Sequence, residues 1–329
     1  MIYARPLVQS GAIRPADAVF LAGGPLWFRE AEILSRTEEP RLVAAVELPV
    51  DLLKRLTTPR APICGLDMGQ PQIMGSLNVT PDSFSDGGQH NAPAQAVAHA
   101  QAMTRDGAAL IDIGGESTRP GADFIPAEEE IARTAPIIAA LAESASISID
   151  TRKADVAQAA LGAGAALVND VSGLQFDAAM AETVARAQAP ICVMHSQGTP
   201  DTMQHNPRYG DVLLEVYDFL HAQVAALDAL GLSRDKIVVD PGIGFGKTQE
   251  HNLALLKGLS LFHGLGCAIL LGVSRKRFIG DIGRAPDAAA RAPGSIAVGL
   301  AGLAQGVQIL RVHDVAETAQ AVRLWQAVR

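Results

Sequence analysis

From about residue 71 onward, short β-branched or aliphatic runs alternate with Ala-rich segments of helical spacing, the signature of parallel βα units. The runs are IMGSLN (73–78), ALIDIGG (109–115), SISID (146–150), ALVND (166–170), ICVMH (191–195), IVVDPG (237–242), AILLGVS (268–274) and QILRVH (308–313). There are eight, the number that closes a (β/α)8 barrel, and residues 71–329 supply the roughly 250 residues such a barrel takes. The expected fold class is α/β: a (β/α)8 TIM barrel over 71–329, preceded by a small N-terminal extension over 1–70.

Each run ends in a group that can hydrogen-bond or carry charge: Asn78, Asp112, Asp150, Asn169 with Asp170, His195, Asp240, Ser274, and Arg311 with His313. In such a barrel the C-terminal strand ends gather on one face, where active sites are built. A polar residue at one strand end usually marks only where the strand leaves the core. Eight in succession imply one cleft assembled from distant parts of the chain.

Segments 96–108 and 156–165 read as helices stopped by glycine, and 211–231 as a long amphipathic helix. The stretch 293–306, rich in Ala and Gly, suits an outer helix packed closely on another surface, either a homodimer contact or the barrel itself; a homodimer is expected. Residues 1–70 carry no recognisable chemistry; covering the closed end of the barrel or aiding assembly are the roles open to them.

With 48% hydrophobic residues the chain can bury a large core, and its net charge of −8 provides no general field for nucleic acid or an anionic membrane. Cys64, Cys192 and Cys267 are odd in number and far apart, which argues against a disulfide framework or zinc cluster and for a reducing compartment. The first residues lack an apolar signal region, and no unbroken apolar run reaches about 18 residues, so a soluble, cytoplasmic protein is expected.

The segment IMGSLNVTPDSFSDGG (73–88) followed by DIGGESTRPGA (112–122) resembles the two signature loops of the dihydropteroate synthases. The blocks SIDTRKADVA, VNDVSGL, VMHSQGTPDTMQ, VVDPGIGFGKT, LLGVSRKRFIG and RVHDV continue the resemblance in order over residues 71–329. It implies a transferase of folate biosynthesis that condenses p-aminobenzoate with 6-hydroxymethyl-7,8-dihydropterin diphosphate and releases pyrophosphate. Departures are minor: Ser76 stands where an aliphatic residue is usual, Ser196 follows His195, and Arg277 follows Lys276.

The resemblance also assigns roles. Asp150, Asn169, Asp240 and Lys276 are expected to contact the pterin, with Phe245 beside it near the p-aminobenzoate pocket. Carboxylates suit the N–H and amino donors of a pterin edge, and a lysine suits its carbonyl. Asn78 is implied as the ligand of a Mg²⁺ that shares the diphosphate, which Arg311, His313 and Thr118 would also grip; late strands commonly bind phosphate in this fold. Thr118, Arg119 and Ser274, with Phe245, would receive p-aminobenzoate. Asp112, Asp150, Lys276 and Arg311 form the expected catalytic set, the acids near a developing cation at the pterin methylene, Arg311 with His313 and Mg²⁺ on the leaving diphosphate, and Lys276 on the pterin.

Two other readings exist within reach of the same residues. A methyltransferase acting on methyltetrahydrofolate with a corrinoid partner would share the pterin contacts without needing both STRPG and SRK. A non-catalytic pterin-binding paralogue should have lost one of Asn78, Arg119, Lys276 or Arg311, and all four are present. GFGKT (244–248) imitates the tail of a phosphate-binding loop, but Pro241 occupies the position of the required first glycine. The unbroken GFGK stretch gives the expectation of a sulfonamide-sensitive form.

Overall fold

The computed structural model describes residues 2–11, 13–79, 92–117, 124–198 and 202–329. The N-terminal stretch forms short strands β1 (Tyr3–Pro6), β2 (Val19–Phe20), β3 (Trp27–Phe28), β4 (Glu30–Leu34) and β5 (Arg41–Ala44), then helix α1 (Val50–Thr57). β1, β4 and β5 make an antiparallel sheet, β2 and β3 a hairpin. Leu21, Phe28, Ala31, Leu48, Leu52 and Leu56 give this lobe a core of its own. Polar bonds fasten it to the rest of the chain: the Tyr3 hydroxyl donates to Asp218 at 2.9 Å, Ser260 Oγ to Pro6 O at 2.9 Å, and Arg55 Nε to Gly264 O at 2.8 Å.

The eight runs become β6 (Gln72–Asn78), β7 (Leu110–Gly114), β8 (Ile147–Asp150), β9 (Leu167–Asp170), β10 (Ile191–Met194), β11 (Ile237–Asp240), β12 (Ala268–Leu271) and β13 (Ile309–Val312). Each pairs in parallel with the next, and β13 returns to β6 with Arg311 opposite Met74, closing the barrel. Several strands are shorter than their sequence runs. β11 stops before Pro241 and Gly242 and β12 before Gly272, which leaves Ser274 three residues past β12; β10 and β13 end at Met194 and Val312, so His195 and His313 lie just past their strands.

Alternation along each strand sorts residues to two sides. Ile111, Ile113, Ile147, Ile149, Val168, Val193, Val239, Ile269 and Leu310 pack outward in the main core with the surrounding helices. Met74, Leu110, Leu167, Cys192, Val238, Ala268, Leu270 and Ile309 face inward in a separate cluster, capped at the N-terminal end by Ile63 and Met68. One inward position further along several of these strands the side chains turn polar, to Ser76, Asp112, Asn169, Asp240 and Arg311. The barrel is therefore sealed by hydrocarbon at one end and lined with hydrogen-bonding groups at the other.

The outer layer is α2 (Ala92–Asp106), α3 (Ala127–Leu141), α4 (Ala154–Gly162), α5 (Met180–Ala187), α6 (Val212–Ala229), α7 (Gln249–Lys257), α8 (Arg277–Gly283), α9 (Ala292–Leu303) and α10 (Val315–Val328). The Asp211 side chain caps α6 by accepting from Leu214 N at 3.1 Å. The small residues of α9 let it lie close on the barrel: a Cβ on Gly302 would stand 2.5 Å from Leu271 Cδ2. Among the described residues no helix is long and apolar enough to cross a membrane.

Candidate active site

Strand register alone places Asn78 opposite Gly114, Gly114 opposite Asp150, and Asp150 opposite Asn169. The missing side chain at Gly114 leaves a notch between its neighbours: a Cβ there would come 3.5 Å from Asp150 Cβ and 3.6 Å from Asn78 Oδ1.

Arg311 reaches across this row from the last barrel strand. Its Nε donates to Asp112 Oδ2 at 2.6 Å and its Nη2 to Asp150 Oδ2 at 2.7 Å, while Asn169 Nδ2 donates to Asp112 Oδ2 at 3.0 Å. Burial alone would weaken the guanidinium's hold on its proton, but the two carboxylates outweigh it and keep the pKa above the ordinary value. The second oxygens, Asp112 Oδ1 and Asp150 Oδ1, are buried without a partner among the described residues. Buried acceptors are normally satisfied, so these two mark places for donors brought by a ligand.

Burial pushes Asp150 up to about 7, opposed by Arg311 and reinforced by Asp112. It pushes Asp240 up to about 6, opposed by the Gly242 N–H, which donates to Asp240 Oδ1 at 2.7 Å. Lys276 Nζ sits 4.1 Å from the centre of the Phe245 ring, and burial, with Arg311 nearby, brings its pKa down to about 8. An ammonium on an aromatic face beside buried acids makes a shelf for a flat, polar-edged ring.

His313 and Ser274 meet, with Nδ1 2.9 Å from Oγ and the His313 backbone N–H donating to the same Oγ at 3.1 Å. Burial, then Arg311, lowers the imidazole to about 4, so it is neutral near pH 7. The expectation of Arg311 and His313 as paired anion grips thus resolves into one cation and one neutral hydrogen-bonding ring, and the cation is already shared by two carboxylates. Asn78, Asp112, Asp150, Asn169, Asp240, Phe245, Ser274, Lys276, Arg311 and His313 all belong to the strand-end face. Thr118 and Arg119 lie outside the described residues.

Sequence reading passed over Lys247, the lysine of the GFGKT stretch. It is buried and donates to Gly242 O at 2.8 Å, Phe245 O at 2.9 Å and His195 O at 3.2 Å, with His195 Nδ1 at 2.9 Å. Burial lowers Lys247 to about 7 and His195 to about 3. Lys247 therefore ties the loop bearing Asp240 and Phe245 to the end of β10. Gly242 makes this approach possible: at φ +67°, any Cβ would fall 1.9 Å from His195 O. Behind β7 and β8, Glu116 meets Arg152 at 2.9 Å and Lys153 at 3.1 Å, and Lys153 meets Glu130 at 2.6 Å. A lysine among glycines just past a strand end was the one available signal for Lys247; the ion-pair network left none, its partners lying 23 to 37 residues apart in sequence.

Among the described residues no group of three or more His, Cys, Asp or Glu is placed to hold a metal ion. What the notch offers a cation is the neutral oxygen of Asn78, a hard donor of the kind Mg²⁺ accepts together with water and phosphate oxygens.

A (β/α)8 barrel whose mouth sets two half-satisfied carboxylates and a ring-stacked lysine around one guanidinium defines a pterin-binding type of enzyme, and the family model "Pterin binding enzyme" matches residues 74–313. Dihydropteroate synthase of Neisseria meningitidis serogroup C is 46% identical over 268 residues, 80% of this chain and 94% of the relative. The Yersinia pestis dihydropteroate synthase, solved as a sulfonamide drug complex, superposes with a TM-score of 0.76 at 45% identity, over 80% of this chain and 96% of that one. The Xanthomonas albilineans enzyme, solved with 4-aminobenzoic acid, gives a TM-score of 0.76 at 42% identity over 80% and 94%. The chain belongs to the dihydropteroate synthase family.

Proposed function

We propose that this barrel mouth joins p-aminobenzoate to 6-hydroxymethyl-7,8-dihydropterin diphosphate, releasing pyrophosphate, as a transferase of folate biosynthesis. The observation that carries the reading is the pair of buried, unpartnered oxygens Asp112 Oδ1 and Asp150 Oδ1 on either side of Arg311. Asp150 accepts from the N–H and amino edge of the pterin, with Asp240 and Asn169 completing that edge and Lys276 donating to its carbonyl, while Asp112 keeps negative charge near the methylene end.

In the reaction the arylamine nitrogen forms a bond to the pterin methylene carbon, the carbon–oxygen bond to the diphosphate breaks, and the amine proton leaves to solvent. The bond pair departs with the pyrophosphate. Arg311 stabilises that charge, while the negative charge of Asp112 and Asp150 beside it offsets the positive charge developing at the carbon. His313 adds a neutral hydrogen bond to the diphosphate, Thr118 a hydroxyl. Thr118, Arg119, Ser274 and Phe245 receive p-aminobenzoate, the ligand of the Xanthomonas albilineans relative.

Mg²⁺ fits at Asn78, where it would neutralise diphosphate charge when bound. The protein works in the cytoplasm, where its three free cysteines stay reduced, and as a homodimer through the outer face of α9, where Pro293, Ala297 and Ala301 are exposed. The unbroken GFGK stretch supports sensitivity to sulfonamides. Steady-state turnover with p-aminobenzoate and the pterin diphosphate tests the reaction, and calorimetric titration of the pterin diphosphate with and without Mg²⁺ tests the ion. Absence of dihydropteroate product, or identical titrations, would overturn the respective assignment.

A further inference from the structure

We propose that the cavity between α1 and the closed end of the barrel is a second ligand site, built for a small organic anion with one ring. It has a volume of about 270 Å³ and lies at the N-terminal start of β12, beside Ala268, at the opposite end of the barrel from the catalytic face. Four cations line it, Lys54, Arg55, Arg60 and Arg234, against the single acid Asp235. In a chain of net charge −8 that is a pronounced local reversal.

The cations are short of counter-charge. Among the described residues Arg234 is the one of the four with an ion pair, 3.6 Å from Asp228. Arg60 spends Nη1 and Nη2 on the carbonyls of Thr58 and His263, both at 3.1 Å, and its buried Nε has no partner. Arg55 donates through Nε to Gly264 O at 2.8 Å. Carbonyl dipoles satisfy individual N–H groups but leave the net charge uncompensated, and a desolvated cation without an anion is costly. Burial accordingly lowers Arg60 to about 10. An anion entering the cavity supplies what the protein omits.

Pro59, Ile63 and Ala268 give the remaining wall an apolar character. A volume just under the roughly 300–1,000 Å³ of ordinary ligand pockets suits one ring carrying one carboxylate or phosphate group. Guanidinium forks favour either oxyanion.

Phenyl phosphate, benzoate and phenol are the probes, titrated by calorimetry into the wild-type protein and into a Lys54→Ala/Arg234→Ala variant. Both substituted side chains are partly or wholly solvent-facing, and unchanged turnover at the mouth reports an intact fold. The expected result is a phenyl phosphate site weakened about tenfold or more in the variant, since each lost charge-assisted bond removes roughly that factor. The tighter of phenyl phosphate and benzoate identifies the headgroup. Identical titrations for the two proteins, including no binding to either, would overturn the proposal. So would phenol binding as tightly as the two anions.

Discussion

The two ends of this barrel are built from the same strands and obey opposite rules. Leu110 and Asp112 are both inward-facing on β7, as are Leu167 and Asn169 on β9, and Ile309 and Arg311 on β13. A step of two residues, under 7 Å along a strand, separates hydrocarbon packing from a charged network. Stability and chemistry are thereby divided along one axis, so a change at one end should be felt chiefly there.

The hardest blow to that division is Arg311→Ala. At the mouth it strands Asp112 and Asp150 without their cation, and kcat/KM should fall on the order of a thousandfold, comparable with loss of a transition-state charge contact. Diphosphate-bearing pterin should lose more affinity than the bare pterin; equal losses, measured by calorimetry, would remove the anion role from Arg311. Next in size is Leu110→Ala at the sealed end, expected to lower unfolding free energy by about 2–5 kcal/mol in denaturant titrations. Turnover per folded molecule should stay near wild type, and a parallel collapse of both would show that the ends are not separable.

Smaller again is a pH dependence confined to the mouth. Asp150 and Asp240 sit raised at about 7 and about 6, so their ionised fractions shrink as pH drops through those values. Pterin donors require the ionised forms, so affinity should decline on the acid side, by up to about tenfold per pH unit for each carboxylate involved. Above about 8 Lys276 loses its charge and affinity should decline again. Asp240→Asn should remove the lower of the two acid limbs; a profile unchanged by that substitution would clear Asp240 of pterin contact.

A third pH effect separates scaffold from site. Lys247 is lowered in the fold to about 7 from an ordinary 10.5, so between those values the unfolded chain holds more protons and stability should rise with pH. Lys247→Met should flatten that rise in thermal melts recorded from pH 7.5 to 9.5. A slope identical to wild type would mean the buried amine is not the source.

The eight strands were legible because largely apolar runs of five to seven residues recurred between helical segments, and their closing residues announced the mouth. The ends of the runs were less legible: Gly and Pro at 241, 242 and 272 read as continuations but end the ladder, leaving Ser274 in a loop. Periodicity could place Arg311 on an inward face but could not name its partners, because Asp112 and Asp150 lie 199 and 161 residues away. Lys247 stayed hidden for a related reason. Its acceptors are backbone carbonyls, which exist in every sequence and converge only once the loop is folded. The N-terminal strands, two to five residues long, are too short to carry a period.

The guanidinium that spans the mouth comes from the eighth barrel strand to leave the ribosome, whereas both acids that hold it emerge far earlier. Those acids have no guanidinium to hold until residue 311 is made and β13 docks on β6. Catalytic competence therefore arrives as a late, all-at-once event in the life of the nascent polypeptide, and a chain stalled before that point could neither close its cylinder nor capture substrate.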